Sequence, residues 1–196
     1  MRKEQLRAEV PRILTERGFS RIQELSSRGV LPGARLVATR GGTEVAIAVK
    51  VSAERSLSFT KKSKTRWRTA GSVNLIVAVV PARDSKEDLE VLAFDSKRLI
   101  AEFDKAWKAL KAAGRPISFE IPVFVPLDEV SRKNLGHGIA NLKDIAEWTV
   151  RVPVKEVRDR SLAESAETFY ERVKREFAER TGVDVTKVEV EFRIKP

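Results

Sequence analysis

The most informative stretch of the chain is ARLVATRGGTEVAIAVKV, residues 34–51. Gly41-Gly42 separates two strand-like runs, Ala34–Arg40 and Thr43–Val51, and such a pair favours the primed turns that need positive φ. With Arg40 opposite Thr43, the register pairs Thr39 with Glu44, Val37 with Ala46 and Arg35 with Ala48. Val45, Ile47, Val49 and Val51 share one face, which reads as core. Glu44, Ala46, Ala48 and Lys50 share the other, which reads as mixed.

Working outward, residues 2–17 carry Leu6, Val10, Ile13 and Leu14 at helical spacing, interrupted by Pro11. Residues 19–29 read as a short helix or loop. Residues 56–60 form a short strand and 61–71 a polar connection. Val73–Val80, VNLIVAVV, is apolar throughout, as expected of a central strand covered on both faces. Leu89–Phe94 reads as a strand. A helix over 97–113 follows, capped by Asp95 or Ser96, with Leu99, Ile100, Phe103, Ala106, Trp107 and Leu110 inward. Ile117–Val125 reads as an edge strand because of Pro122. The expectation is an α/β fold with a mixed central sheet flanked by helices over residues 1–125. A loop and a small β-α-β module then occupy 126–196. The module combines a strand at 148–154, a helix opened by Ser161 with Phe169, Val173 and Phe177 on its stripe, and a strand at 188–194. At roughly 50 residues it is small for an independent core, so it would pack on the first domain or on a second copy in a homodimer.

Composition narrows the function. The chain has 196 residues, 38 Lys and Arg against 28 Asp and Glu, one His and no Cys. A disulfide framework, thiolate metal sites and a cysteine nucleophile are excluded. His137, between Gly136 and Gly138, has no second histidine beside it and reads as a turn residue. No apolar run approaches the ~20 residues of a membrane span. The N-terminal MRKEQLRAEV lacks the apolar segment of a secretory leader, so the expectation is a cytoplasmic protein with no membrane partner. Residues 1–81 hold 16 basic and 6 acidic side chains, and the rest of the chain is balanced. A field localised in this way attracts polyanions, nucleic acid above all. The densest run is FTKKSKTRWR, residues 59–68. Lys61, Lys62, Lys64, Arg66 and Arg68 are phosphate-contact candidates, joined by Arg55 just upstream. Trp67 either stacks on a base or turns inward as a core lid.

The element order and the segment AIAVKVS, residues 46–52, resemble the restriction-endonuclease-like, PD-(D/E)XK superfamily over about residues 1–115. Residues 34–125 are also similar to uncharacterised bacterial proteins that carry A-V-[KR]-[VT]-S, then a Trp and an apolar strand. The superfamily resemblance implies phosphodiester hydrolysis, with two acids holding Mg²⁺ and a lysine beside the attacking water. Lys50 falls on that lysine. The two acid positions hold Ala48 and Arg35, a set that repels a dication. Glu44 lies six residues from Lys50, about 20 Å along a strand. Glu9, Glu16 or Glu24 could supply one helix-borne acid, which does not complete the site. The expectation is therefore a nuclease-like scaffold that binds double-stranded DNA without cutting it, in a regulatory or accessory role. Arg35 and Lys50 would contact phosphates, with no catalytic residue, metal or cofactor. Two rivals stand beside it: a Mg²⁺-dependent endonuclease with a rearranged site, and a protein-interaction or immunity module.

Overall fold

A computed structural model gives the fold. It describes residues 3–25, 35–85, 87–119, 121–128 and 141–157, and beyond them residues 171, 174, 177, 178 and 184–187. The chain divides into two compact units, residues 1–154 and 155–196.

The first unit is a mixed α/β structure around a curved six-stranded sheet. It begins with α1 (Lys3–Glu16) and β1 (Ser20–Glu24), then the hairpin β2 (Leu36–Arg40) and β3 (Thr43–Val51). After β4 (Ser56–Thr60) come β5 (Leu75–Pro81), β6 (Asp88–Asp95), α2 (Ser96–Ala112), β7 (Pro122–Pro126) and β8 (Trp148–Pro153). The sheet order is β1-β2-β3-β5-β6-β8, while β4 and β7 form a separate two-stranded sheet. Only the β3–β5 pair is parallel among the described strands.

The hairpin register is the one the glycine pair dictates. Arg40 faces Thr43, Thr39 faces Glu44 and Val37 faces Ala46, and both glycines have positive φ, 55° and 80°. β5 is the buried central strand, flanked by β3 and β6. Asn74 pins its start: Asn74 Oδ1 accepts the Ala46 N–H at 2.9 Å. Asp95 caps α2 by accepting the Arg98 N–H at 2.9 Å, and Gly114, at φ 67°, ends it.

Both faces of the sheet are covered. α1 places Val10, Ile13 and Leu14 on the face that carries Ile47 and Val49. On the other face α2 supplies Leu99, Phe103, Ala106 and Leu110, and the β4–β7 pair adds Leu57, Phe59, Val123 and Val125. Together they bury Ala48, Ile76, Ala78, Leu92 and Phe94.

The Glu44–Lys50 face of β3 is mixed, as expected: Ala46 and Ala48 are buried between the exposed Glu44 and the half-buried Lys50, and Leu57, Phe59 and α2 join Ala48 in one core cluster. Other sequence expectations are corrected by the structure. The 19–29 region contains a strand, β1, with a bulge between Ser20 and Gln23 and Arg21 at φ 49°. Pro11 does not divide α1. The 148–153 strand pairs with β6 at the sheet edge, so it belongs to this sheet and not to the tail module. The strand expected over 117–125 is confined to Pro122–Pro126.

In the second unit Glu171, Lys174, Phe177 and Ala178 are helical, and Val185–Lys187 is a short 3-10 turn. Phe177, placed on the inward stripe by the sequence pattern, is exposed, and Ala178 is buried. The 188–194 strand, most of the tail helix and His137 lie outside the described residues. Among the described residues no helix is long and apolar enough to cross a membrane.

Candidate nucleic-acid interface

The hairpin closes at Gly41-Gly42, so its open end lies where β2 begins and β3 finishes. Backbone bonds fix that end. Arg35 N–H donates to Ile47 O, and Leu25 N–H donates to Arg35 O, both at 2.8 Å. α1 runs past the same end, and together they enclose a pocket of about 520 Å³. Arg7 and Pro11 of α1, Ile22 and Glu24 of β1, Arg35, Leu36 and Val49 line it.

The electrostatics of this end are one-sided. The Arg35 side chain is exposed and makes no ion pair with any described residue. Arg7 Nε is buried and has no hydrogen-bond partner among the described residues. Lys50, next along β3 from Val49, holds its Nζ 4.9 Å from the Phe59 ring centre. Burial, and after it the nearby Arg7 charge, hold Lys50 below the ordinary lysine value of 10.5. Glu24 is the one acid among the described lining residues. Glu9 and Glu16 are both engaged by Arg12 of their own helix, Glu9 at 3.0 Å.

Such an arrangement does not suit a divalent metal. No group of three His, Cys, Asp or Glu side chains that could hold one occurs among the described residues. The two positions where the superfamily resemblance expects acids hold the exposed Arg35 and the buried Ala48.

The basic run separates into two populations. Lys62 N–H donates to Arg66 O at 2.7 Å and Arg68 N–H to Thr60 O at 2.9 Å, so residues 60–68 form a tight excursion closed by a Lys61–Trp67 bridge. At its base Thr69 takes φ 67° and ψ −63°, and Ala70 N–H reaches Arg68 O, a strained γ-turn. Lys62, Lys64, Arg66 and Arg68 are exposed.

Lys61, Trp67 and Arg55 are taken up inside. Trp67 is 1% exposed, and its indole N–H donates to Asp104 Oδ1 at 3.1 Å. Lys61 is 5% exposed, bonds the same carboxylate and lies over the Trp67 and Trp107 rings at 4.8 and 5.5 Å. Arg55 Nε reaches Asp128 at 2.6 Å, Nη2 reaches Glu90 at 2.8 Å and Nη1 reaches Pro81 O at 2.5 Å. Burial pulls its pKa down, but the hydrogen bonds to Glu90 and Asp128 outweigh it, and the guanidinium stays firmly charged. Of the nine sequence candidates, these three are structural cations or core in this conformation, because their partners arrive from distant segments. The other six are exposed or partly so.

The sequence reading missed a second basic surface. Trp107, Lys108 and Lys111 of α2, with Arg115 and Phe119 beyond it and Lys64 of the excursion, line a groove of about 750 Å³. The spacing of Lys108, Lys111 and Arg115 already places them on one side of a helix and its continuation. The structure therefore does not bring Arg35 and the excursion into one pocket. Arg35 lies with Arg7, and Lys64 lies with α2.

Comparison of the chain with protein-family models, with curated proteins and with solved structures returned no match.

Proposed function

We propose that the protein binds the phosphate backbone of nucleic acid, double-stranded DNA in the first instance, without hydrolysing it. The scaffold would be a restriction-endonuclease-like domain whose metal site has been replaced by cations, working in the cytoplasm. One observation carries the reading: Arg7 and Arg35 line the pocket at the open end of the β2–β3 hairpin, Lys50 on the opposite face of β3 is near enough to feel the Arg7 charge, and none of the three has an acidic partner among the described residues. A cation that is partly desolvated and next to a like charge is held at a cost in the free protein. A phosphodiester removes that cost, and its binding neutralises charge that the fold leaves open. Phosphate contacts of this kind position a protein on a duplex and read little sequence. The exposed Lys62, Lys64, Arg66 and Arg68 extend the attraction electrostatically.

The test is duplex binding by fluorescence anisotropy over a salt series, with wild type, Arg35→Ala and Lys50→Met. Each lost contact should reduce the slope of log affinity against log salt by about 0.9. Over a fourfold salt range that amounts to roughly threefold per contact. A duplex that fails to bind at low salt, or binding indifferent to both substitutions, refutes the reading. Plasmid nicking that requires Mg²⁺ and disappears in Lys50→Ala would instead establish the nuclease alternative.

A further inference from the structure

The groove beside α2 shares no lining residue with the pocket at the hairpin end, and its chemistry differs. Trp107 and Phe119 lie parallel, with centroids 5.8 Å apart and planes within 9°. Phe119 is 40% exposed, a large aromatic face left to solvent. Trp107 is held from behind, edge-on to Trp67 at 6.1 Å, and Trp67 is in turn edge-on to Phe103 at 5.4 Å. The stack is therefore rooted in the core. Around it stand Lys64, Lys108, Lys111 and Arg115. None of the four pairs with an acid among the described residues, whereas Lys61, at the groove's inner wall, is neutralised by Asp104. No acid occurs among the described lining residues.

A solvent-facing aromatic platform and a ring of unpaired cations have complementary requirements. The platform favours a flat, apolar, π-faced group, and the cations favour a repeating anion beside it. An acidic peptide satisfies the second and not the first. A duplex satisfies the second but keeps its base faces stacked inside. Single-stranded nucleic acid offers both, one stacked base for the aromatic face and phosphates at the spacing of flexible lysines. We propose that this groove is a separate site for an unpaired segment of nucleic acid, with Phe119 as the stacking face and Lys64, Lys108, Lys111 and Arg115 as backbone contacts. The two sites would then let one molecule hold a duplex and a neighbouring single strand.

Tryptophan fluorescence and anisotropy with a labelled oligothymidylate of about twelve nucleotides test this. Phe119 is exposed, so Phe119→Ala should keep the fold, which circular dichroism verifies. It should weaken oligothymidylate binding by roughly tenfold, the scale of one lost base stack, with the salt slope unchanged. Lys108→Ala/Lys111→Ala should instead flatten the slope by about 1.4, at 0.7 per contact on a single strand. Arg35→Ala/Lys50→Met should leave oligothymidylate binding intact, so failure of the duplex reading and failure of this one are separable. The proposal is overturned if the oligonucleotide does not bind at low salt. It is also overturned if Phe119→Ala binds like wild type, or if a poly-glutamate peptide binds as tightly with the same Phe119 dependence.

Discussion

Replacing Arg55 with Met separates a structural cation from an interface cation at a position where the sequence favours the interface. Arg55 bridges Glu90 and Asp128, and the three side chains are 12%, 10% and 6% exposed. Methionine fills much of the arginine stem but supplies no donor. Two carboxylates then remain largely buried without their shared cation, and Pro81 O loses its donor. Removing one member of a buried charge cluster costs about 3–5 kcal/mol, because the remaining charges stay desolvated. Lys143, which reaches Glu90 at 3.1 Å, offsets a part of this. For a unit of this size each kcal/mol lowers Tm by roughly 2–4 °C, so a fall on the order of 10 °C is expected. Urea unfolding followed by circular dichroism measures the stability, and anisotropy with a DNA duplex measures the interface. Stability should fall while the salt slope of the folded variant stays unchanged. Arg55→Lys should lie between, since an ammonium cannot repeat the three-way guanidinium geometry. Combining Arg55→Met with Glu90→Gln should recover part of the loss by removing one stranded charge. The reasoning fails if Arg55→Met unfolds at the wild-type urea midpoint, or if it lowers the salt slope by about 0.9 with stability intact.

Three further outcomes are expected. Burial pulls the Glu90 carboxyl up, but hydrogen bonds from Arg55 and Lys143 outweigh it and hold it below the ordinary 4.5. A carboxyl depressed in the folded state stabilises fully above its unfolded pKa and progressively less as pH falls through the folded one. Urea midpoints should therefore drop below about pH 4.5, and Glu90→Gln should flatten that limb while costing stability at neutral pH. At the hairpin end, only protonated Lys50 attracts a phosphate, and burial followed by Arg7 lowers its pKa below 10.5. Duplex affinity should therefore begin to fall at a pH where ordinary lysines are still charged, and Lys50→Met should remove that early decline in an anisotropy titration. The same substitution should change stability by no more than about 1 kcal/mol, since the lost contact with Phe59 and the relieved desolvation oppose each other.

Local chemistry made part of this molecule legible. The Gly41-Gly42 turn and the alternation after it specify a register, and the structure keeps it from Arg40–Thr43 to Leu36–Ile47, where the ladder ends before the expected Arg35–Ala48 pair. The apolar run ending at Val80 specifies a central strand, and Asp95 before an amphipathic stretch specifies a helix start. β1 was opaque because SRIQE carries one apolar side chain and a bulge, so no periodicity survives. It becomes a strand through pairing with β2. The depth at which Ala48 is buried is not legible locally, because the residue is small and flanked by charges and its cluster partners Leu57 and Phe59 belong to a separate sheet. The site suffered from the same distance effect. Lys61 is internal because of Asp104, and Arg55 because of Glu90 and Asp128, with 35 to 73 residues separating such partners. Arg7 joins Arg35 only once α1 packs across the hairpin end.

The contrast among the cations is the strongest argument for where an external anion would go. The fold neutralises a cation readily when that cation serves structure. Arg12 holds Glu9 and Glu16, and Arg151 holds Asp84 and Asp88. Arg55 and Lys61 are enclosed by carboxylates brought from other elements. Arg7, Arg35 and Lys50 lack such a partner among the described residues, although Glu24 lines the same pocket as Arg7 and Arg35. A sheet end needs no like charges crowded beside a helix, and a neutral side chain at Lys50 would relieve both its desolvation and its repulsion from Arg7. For Lys50 that penalty is offset in the free protein by the Phe59 ring, and an arriving anion would relieve it without losing that contact. On the proposed reading the anion lies along this strand end, and a phosphate backbone has a shape that can do so.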